Sequence, residues 1–374
     1  MAEVKTPTPP QIAGFGYVRP LGAGGFAHVF LYEQDMPRRI VAVKVLERDL
    51  GASRDRADFE AEADAMARLS SHPSIVSVWA AGISTDGQPY IAMEYCPDSM
   101  RDRTRGKPAS LAIVLDAGVR LAGALETAHR SGVLHRDIKP SNVLIATTGR
   151  PALADFGISM LQGRGTSDDK ARAMSIPWAA PEVVSSISTG TVASEIWSLG
   201  ATLYTFAAGH SPFERPDRAQ NTQSKMIARI NQAHYTPIPG AQGYEAFDAI
   251  MAQAMHRLPE QRFSTMLQFA QALQQLQRQY GLDVTPLDIV DSSWVAPAVQ
   301  PAGPRTPAAT SVRSHTRASA RAEREQSQLQ VDRDGVAEDR QVSPMRAGLV
   351  GAGIVLVVGA GAVGIASWLL GWWS

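Results

Sequence analysis

The chain has 374 residues, with 36 Lys+Arg balanced by 36 Asp+Glu, so its formal net charge is zero. That balance excludes a protein whose main work is coating nucleic acid, which needs a strong positive excess. A hydrophobic share of 44% excludes a wholly disordered chain. The single cysteine, Cys96, can form neither an internal disulfide nor a Cys-pair zinc site, which fits a reducing cytoplasm.

Residues 1–13 carry three prolines and no apolar run, and they read as a flexible leader and not a signal peptide. From about Gly14 to Tyr280, strand-like and helix-like apolar patterns alternate with short Gly/Pro breaks, as in a globular domain. Leu21-Gly22-Ala23-Gly24-Gly25-Phe26 is a Gly-rich turn between strand formers. Glycine lets backbone amides approach phosphate oxygens, but alone this pattern more often marks just a tight turn. No Lys-Ser/Thr follows, so a P-loop is excluded, and a strand follows where a dinucleotide fold needs a helix. Ile40–Leu46 is a strand with Lys44 inside an apolar run. A lysine there is costly unless it meets an anion or faces solvent. Arg56–Ser70 carries Phe59, Met66 and Leu69 on a helical repeat, with Glu62 available to reach Lys44.

A second helix is marked by apolar residues at 111, 115, 121 and 125, and it leads into His135-Arg136-Asp137-Ile138-Lys139-Pro140-Ser141-Asn142. Asp155-Phe156-Gly157 comes 13 residues after Asn142, and Ala180-Pro181-Glu182 begins 25 residues after Asp155. In order, spacing and identity these segments and the Lys44 strand match the kinase signature set. The chain resembles the eukaryotic-like (Hanks-type) protein kinases, specifically the bacterial serine/threonine kinases, over roughly residues 15–277.

That resemblance implies an α+β, bilobal protein kinase fold over residues 14–280. A small antiparallel β lobe plus one helix would sit on a large, mainly helical lobe, with ATP between them. It implies a loop carrying Gly22, Gly24 and Gly25 over the phosphates of ATP, and Lys44 holding them while paired with Glu62. Leu21 would border the nucleotide, while Val29, Ala42 and Leu144 would sandwich the adenine. Met93 would be the gatekeeper, and Glu94, Tyr95 and Cys96 the hinge. Asp155 would bind the Mg²⁺ that bridges the phosphates and Asn142 a second ion, both through oxygen ligands. Asp137 would take the substrate's proton, and Lys139 would neutralise the transferring phosphoryl group. Met66, Val78, His135 and Phe156 would form the stacked spine of the active state. Glu182 and Arg262 would tie the activation segment to the large lobe. Arg136 resembles the arginine of kinases activated through their loop, so Thr166 or Ser167 is the expected autophosphorylation site. An ordinary solvated loop is the alternative there.

Three residues depart from the family pattern. Ala27 replaces a third glycine, Ser175 stands where threonine is usual, and Glu195 stands where aspartate is usual. The extra methylene of Glu195 is the main ground for an alternative reading as a membrane-tethered, non-catalytic pseudokinase scaffold. The charged stretch Pro97–Pro108 also differs from the usual segment after the hinge.

Residues 281–346 are expected to be a Pro/Ala/Arg-rich disordered linker. Four arginines without an acid lie between Pro301 and Ala322, and six acids face two arginines between Glu323 and Asp339. Ala347–Trp373 is 27 uncharged residues. As a helix it would run roughly 40 Å, enough for a hydrocarbon core of about 30 Å. Three tryptophans at its far end and Arg340 and Arg346 before it suit a single-pass tail anchor with the kinase domain cytoplasmic. Membrane lipid is thus an expected partner, beside ATP and Ser/Thr-bearing proteins. Small residues four apart in the span suggest a homodimer, through the span or the kinase domain.

Overall fold

In this computed structural model the described residues are 8–23, 27–46, 53–156, 175–236, 238 and 244–290. The expected sites Gly24, Gly25, Thr166 and Ser167, the side chain of Glu62, and the span 347–373 lie outside them. Among the described residues no helix is long and apolar enough to cross a membrane.

The small lobe is a five-stranded antiparallel sheet in the order β1-β2-β3-β5-β4. Its strands are β1 (Phe15–Ala23), β2 (Ala27–Gln34), β3 (Arg39–Leu46), β4 (Val78–Ile83) and β5 (Pro89–Glu94). From Val41 onward β3 is apolar on both faces because both are covered, while Ile40 stays exposed at its start. Val41, Val43 and Val45 join a cluster with Phe30 and Tyr32, while Ala42 and Leu46 face the main core. Helix α1 (Ser53–Leu69) buries Phe59, Met66 and Leu69, the residues on its helical repeat.

Beyond the hinge, β6 (Asp98–Ser99) pairs with β7 (Val143–Ile145), which pairs with β8 (Pro151–Leu153). The charged stretch forms a short helix α2 (Met100–Thr104), capped by Ser99 through the amide of Asp102 and braced by Asp98 to Arg103 at 2.6 Å. Helix α3 (Leu111–Arg130) is the axis of the large lobe, with Leu115, Leu121 and Leu125 fully buried. It is followed by α4 (Pro181–Val184), α5 (Val192–Ala208), α6 (Gln223–Gln232), α7 (Glu245–Ala254) and α8 (Met266–Gln279). Thr191 and Ser194 form a capping box that starts α5. Gly209 ends it at φ +77, where a side chain would be strained and would press on the Lys107 amide at 3.2 Å.

The folded body is longer than the sequence pattern predicts at both ends. The leader assigned to residues 1–13 packs from Pro10 onward: Pro10 and Ile12 are buried, Tyr32 Oη donates to Pro10 O at 2.6 Å, and Thr85 N donates to Gln11 O at 3.0 Å. The linker assigned to 281–346 likewise gives up residues 281–290, which lie against α3 and α8, with Thr285 buried. Each segment combines isolated apolar anchors, Ile12 at one end and Leu282 and Leu287 at the other, with directed polar bonds, so neither carries the apolar periodicity that marks an element in sequence.

Candidate active site

The site is built where the two lobes meet. From the small lobe come Leu21 and Gly22 on β1, Val29 on β2, Ala42 and Lys44 on β3, and Met93 and Glu94 on β5. Leu144 on β7 and Cys96 beyond β5 close the other side. Ala42 and Met93 are part of the main apolar cluster, Leu21, Val29, Cys96 and Leu144 pack against it, and Ala42 pairs with Met93 across β3 and β5. A Cβ on Gly22 would meet nothing within 4 Å, which leaves its backbone open. Burial, helped by the charge of Glu94, pushes the Cys96 thiol up to about 12, in keeping with a packing residue and not a reactive one.

Lys44 is buried, and its Nζ lies 2.8 Å from Asp155 Oδ1. Burial opposes ionisation of Asp155. The Lys44 ammonium outweighs it, with help from His135 and Lys139, and holds the carboxyl below the ordinary range. Glu62 lies on α1, the helix that packs beside β4, but its contact with Lys44 falls outside the described side chains.

The segment from His135 to Asn142 is held by its own side chains. His135 Nδ1 accepts from the Asp137 amide at 3.3 Å, so Nε2 carries the proton and donates to Ala154 O at 3.0 Å. That bond ties the catalytic loop to the residue before Asp155. The His135 ring lies 4.5 Å from Phe156. Phe156, Met66 and Val78 line one small cavity behind Met93, so the expected spine is contiguous.

Asp137 is the hub of a closed ring. Its Oδ2 receives Lys139 Nζ at 2.7 Å and Asn142 Nδ2 at 2.9 Å, and its Oδ1 accepts from Ser175 Oγ at 2.8 Å. Lys139 Nζ also donates to Ser175 Oγ at 3.0 Å. The hydroxyl that Ser175 shares with the usual threonine is the atom that closes this ring. Arg136 and Asp155 both have φ +66, a strained backbone for residues with side chains. The Arg136 amide donates to buried Glu195 Oε1 at 2.6 Å, which pins that conformation. Lower down, Arg262 clasps Glu182 through two bonds of 2.7 and 2.9 Å and is fully buried. The tie reaches the segment that carries Ser175.

A chain with this ring, this lysine–aspartate pair and this bilobal frame matches the protein kinase domain model over residues 15–279. The chain belongs to the protein kinase family. Its relatives include serine/threonine-protein kinase PknK of Mycobacterium tuberculosis, 39% identical over 283 residues, which cover 74% of this chain and 25% of that protein. PknJ of the same organism is 34% identical over 70% of this chain and 45% of its own length. PknF is 33% identical over 70% of this chain and 56% of its own length. The likeness places the chain among the bacterial Hanks-type serine/threonine kinases. It spans only a quarter to about half the length of these relatives.

Sequence reasoning missed two parts of this surround, His129 and the Asp288 segment. His129 Nε2 lies 2.6 Å from Glu195 Oε2, and it lacks a motif of its own in the sequence.

Proposed function

We propose that the protein transfers the γ-phosphoryl group of ATP to serine or threonine hydroxyls of other proteins. The observation that carries this is the Asp137–Lys139–Ser175–Asn142 ring. It presents a carboxylate and an ammonium side by side where a hydroxyl must lose a proton while phosphoryl charge is neutralised. The incoming hydroxyl gives its proton to Asp137 as its oxygen bonds to the γ-phosphorus, and the bond to the ADP oxygen breaks. Lys139 neutralises the phosphoryl oxygens during that exchange. Lys44, already anchored by Asp155, orients the phosphates of ATP.

The donor chemistry also fits Mg²⁺. Asp155 offers a carboxylate, and Asn142, whose amide nitrogen is committed to Asp137, turns its amide oxygen elsewhere. Two hard oxygen ligands suit an ion that completes its shell with phosphate and water. When bound, it supplies charge neutralisation of the phosphates. Glu195 was the ground for the scaffold alternative, and its bond to the Arg136 amide supports the catalytic reading.

Two finer readings belong to the same proposal. Thr166 or Ser167 is autophosphorylated, and its phosphate pairs with Arg136, whose side chain is exposed. Residues 347–373 anchor the protein in a membrane by their uncharged run, with the kinase domain on the cytoplasmic side. The first test is incubation with labelled ATP, Mg²⁺ and a generic acceptor protein. Transfer by wild type that is lost in Asp137→Asn supports the reading, and no transfer from the membrane-bound, phosphorylated form overturns it. Mass spectrometry of the active protein tests the loop sites, and retention in membranes after an alkaline wash, lost on deleting 347–373, tests the anchor.

A further inference from the structure

After α8 the chain runs on as residues 281–290 along α3. Thr285 is fixed by its amide to Gln277 Oε1 at 3.0 Å, by Gln277 Nε2 to its hydroxyl at 2.8 Å, and by its hydroxyl to Asp116 Oδ1 at 2.8 Å. The Val290 amide donates to Thr127 Oγ1 at 3.1 Å. Between these anchors the backbone passes so close to α3 that a Cβ on Gly123 would stand 2.3 Å from Asp288 O.

Asp288 then reaches two parts of the catalytic frame. Its carbonyl oxygen accepts from His72 Nε2 at 2.9 Å, and its carboxylate Oδ2 accepts from Arg150 at 2.7 Å. His72 sits in the turn between α1 and β4, and its Nδ1 accepts from the Ser74 amide at 3.0 Å. Ser74 O and the Val76 amide pair with Leu153 at 2.9 Å each, two residues before Asp155. Arg150 closes the β7–β8 hairpin through its carbonyl to the Ala146 amide at 2.9 Å. That hairpin starts beside Asn142 and ends beside Asp155. A single residue outside the matched kinase domain thus touches the pivot of α1 and the hairpin between the two metal-ligand positions.

We propose that Leu282–Val290 is an intramolecular clamp and that Asp288 is a positioning residue, holding the His72 turn and the β7–β8 hairpin in the register that sets Asp155 against Lys44. Apart from Thr285 the segment is half-buried or exposed, and beside its directed bonds only Leu282 and Leu287 pack on the core, so it can open without unfolding that core. The chain continues from it into residues 291–374. The clamp itself does not depend on the kinase activity proposed above; only its effect on transfer does.

The test uses the full chain in three forms. Gly123→Ala drives a methyl into the clamp's path while favouring the helix, Asp288→Ala removes only the bond to Arg150, and Asp288→Asn restores an acceptor there. Hydrogen exchange is expected to rise about tenfold in peptides covering both 70–77 and 150–156 in Gly123→Ala, in 150–156 in Asp288→Ala, and to stay near wild type in Asp288→Asn. KM for ATP should rise several-fold with kcat less affected. If the 282–290 amides open while 70–77 and 150–156 keep their protection, the clamp holds nothing and the proposal is overturned. Altered exchange with no phosphoryl transfer even in wild type upholds the clamp and sinks the kinase reading. Should Gly123→Ala fail to fold, Asp288→Ala, at a partly exposed side chain, decides alone.

Discussion

Glu195 on α5 accepts the backbone amide of Arg136 at 2.6 Å while its other oxygen meets His129 Nε2 at 2.6 Å. One buried carboxylate thereby fixes the strained residue that precedes Asp137 and joins α3 to α5. Glu195→Ala is expected to cost about 3 kcal/mol, because it leaves two buried polar groups unpaired. Thermal melting measures that loss, and kcat should fall with it. Glu195→Gln, which still offers an oxygen to Arg136, should lose much less.

Ser175 is the next point of control. Its hydroxyl accepts from Lys139 and donates to Asp137. Ser175→Ala should lower kcat about 10- to 100-fold with a small change in KM, since it loosens the catalytic pair without touching the nucleotide pocket. Ser175→Thr should retain near wild-type turnover. Steady-state phosphotransfer on a peptide substrate distinguishes the two.

Arg262 is fully buried against Glu182, Trp197 and nearby carbonyls. Glu182→Ala leaves that guanidinium without its counter-charge and is expected to destabilise the large lobe by about 3–5 kcal/mol. Urea denaturation reads the change as a lower midpoint.

The buried imidazole of His72 predicts an acid-side loss of stability. Burial lowers its pKa, as does Arg150, and the bond to Asp288 O and the Asp288 charge only partly oppose them. The folded protein therefore holds His72 neutral while the unfolded chain takes up a proton below about pH 6.5. Its contribution is complete above that pH and falls as pH drops toward the folded pKa, by up to about 1.4 kcal/mol per pH unit. Melting curves at pH 7.5 and 5.5 should show a larger drop in wild type than in His72→Gln. Equal drops would remove His72 from the account.

Cys96, with its thiol pushed up to about 12 from 9.0, is expected to react with iodoacetamide about a thousandfold more slowly than a free cysteine at pH 7.5. Alkylation followed by mass spectrometry measures the rate, and saturating ATP should slow it further.

The small-lobe strands, α1, α3 and the residues around Asp137 were legible because each carries a local signal. Those signals are apolar periodicity, glycines at a turn, and chemistry-bearing side chains at short spacing. The two docked ends were not. Pro10, Gln11 and Ile12, like Thr285 and Asp288, have no repeat or composition that separates them from a leader or a linker. Their partners lie far away in sequence: Tyr32 and Thr85 for one end, His72, Asp116 and Arg150 for the other.

By itself the sequence determined the family and the two-lobed frame, and it marked the expected nucleotide, metal and catalytic positions, because the kinase signature sets those side chains in a fixed chain order. What the tertiary structure alone decided is how they are held. Glu195 reaches both Arg136 and His129, Ser175 closes the ring on Asp137, and Asp288 bridges His72 and Arg150. Those bonds join residues dozens to hundreds of positions apart, and their directionality exists only once the backbone has brought donor and acceptor within about 3 Å.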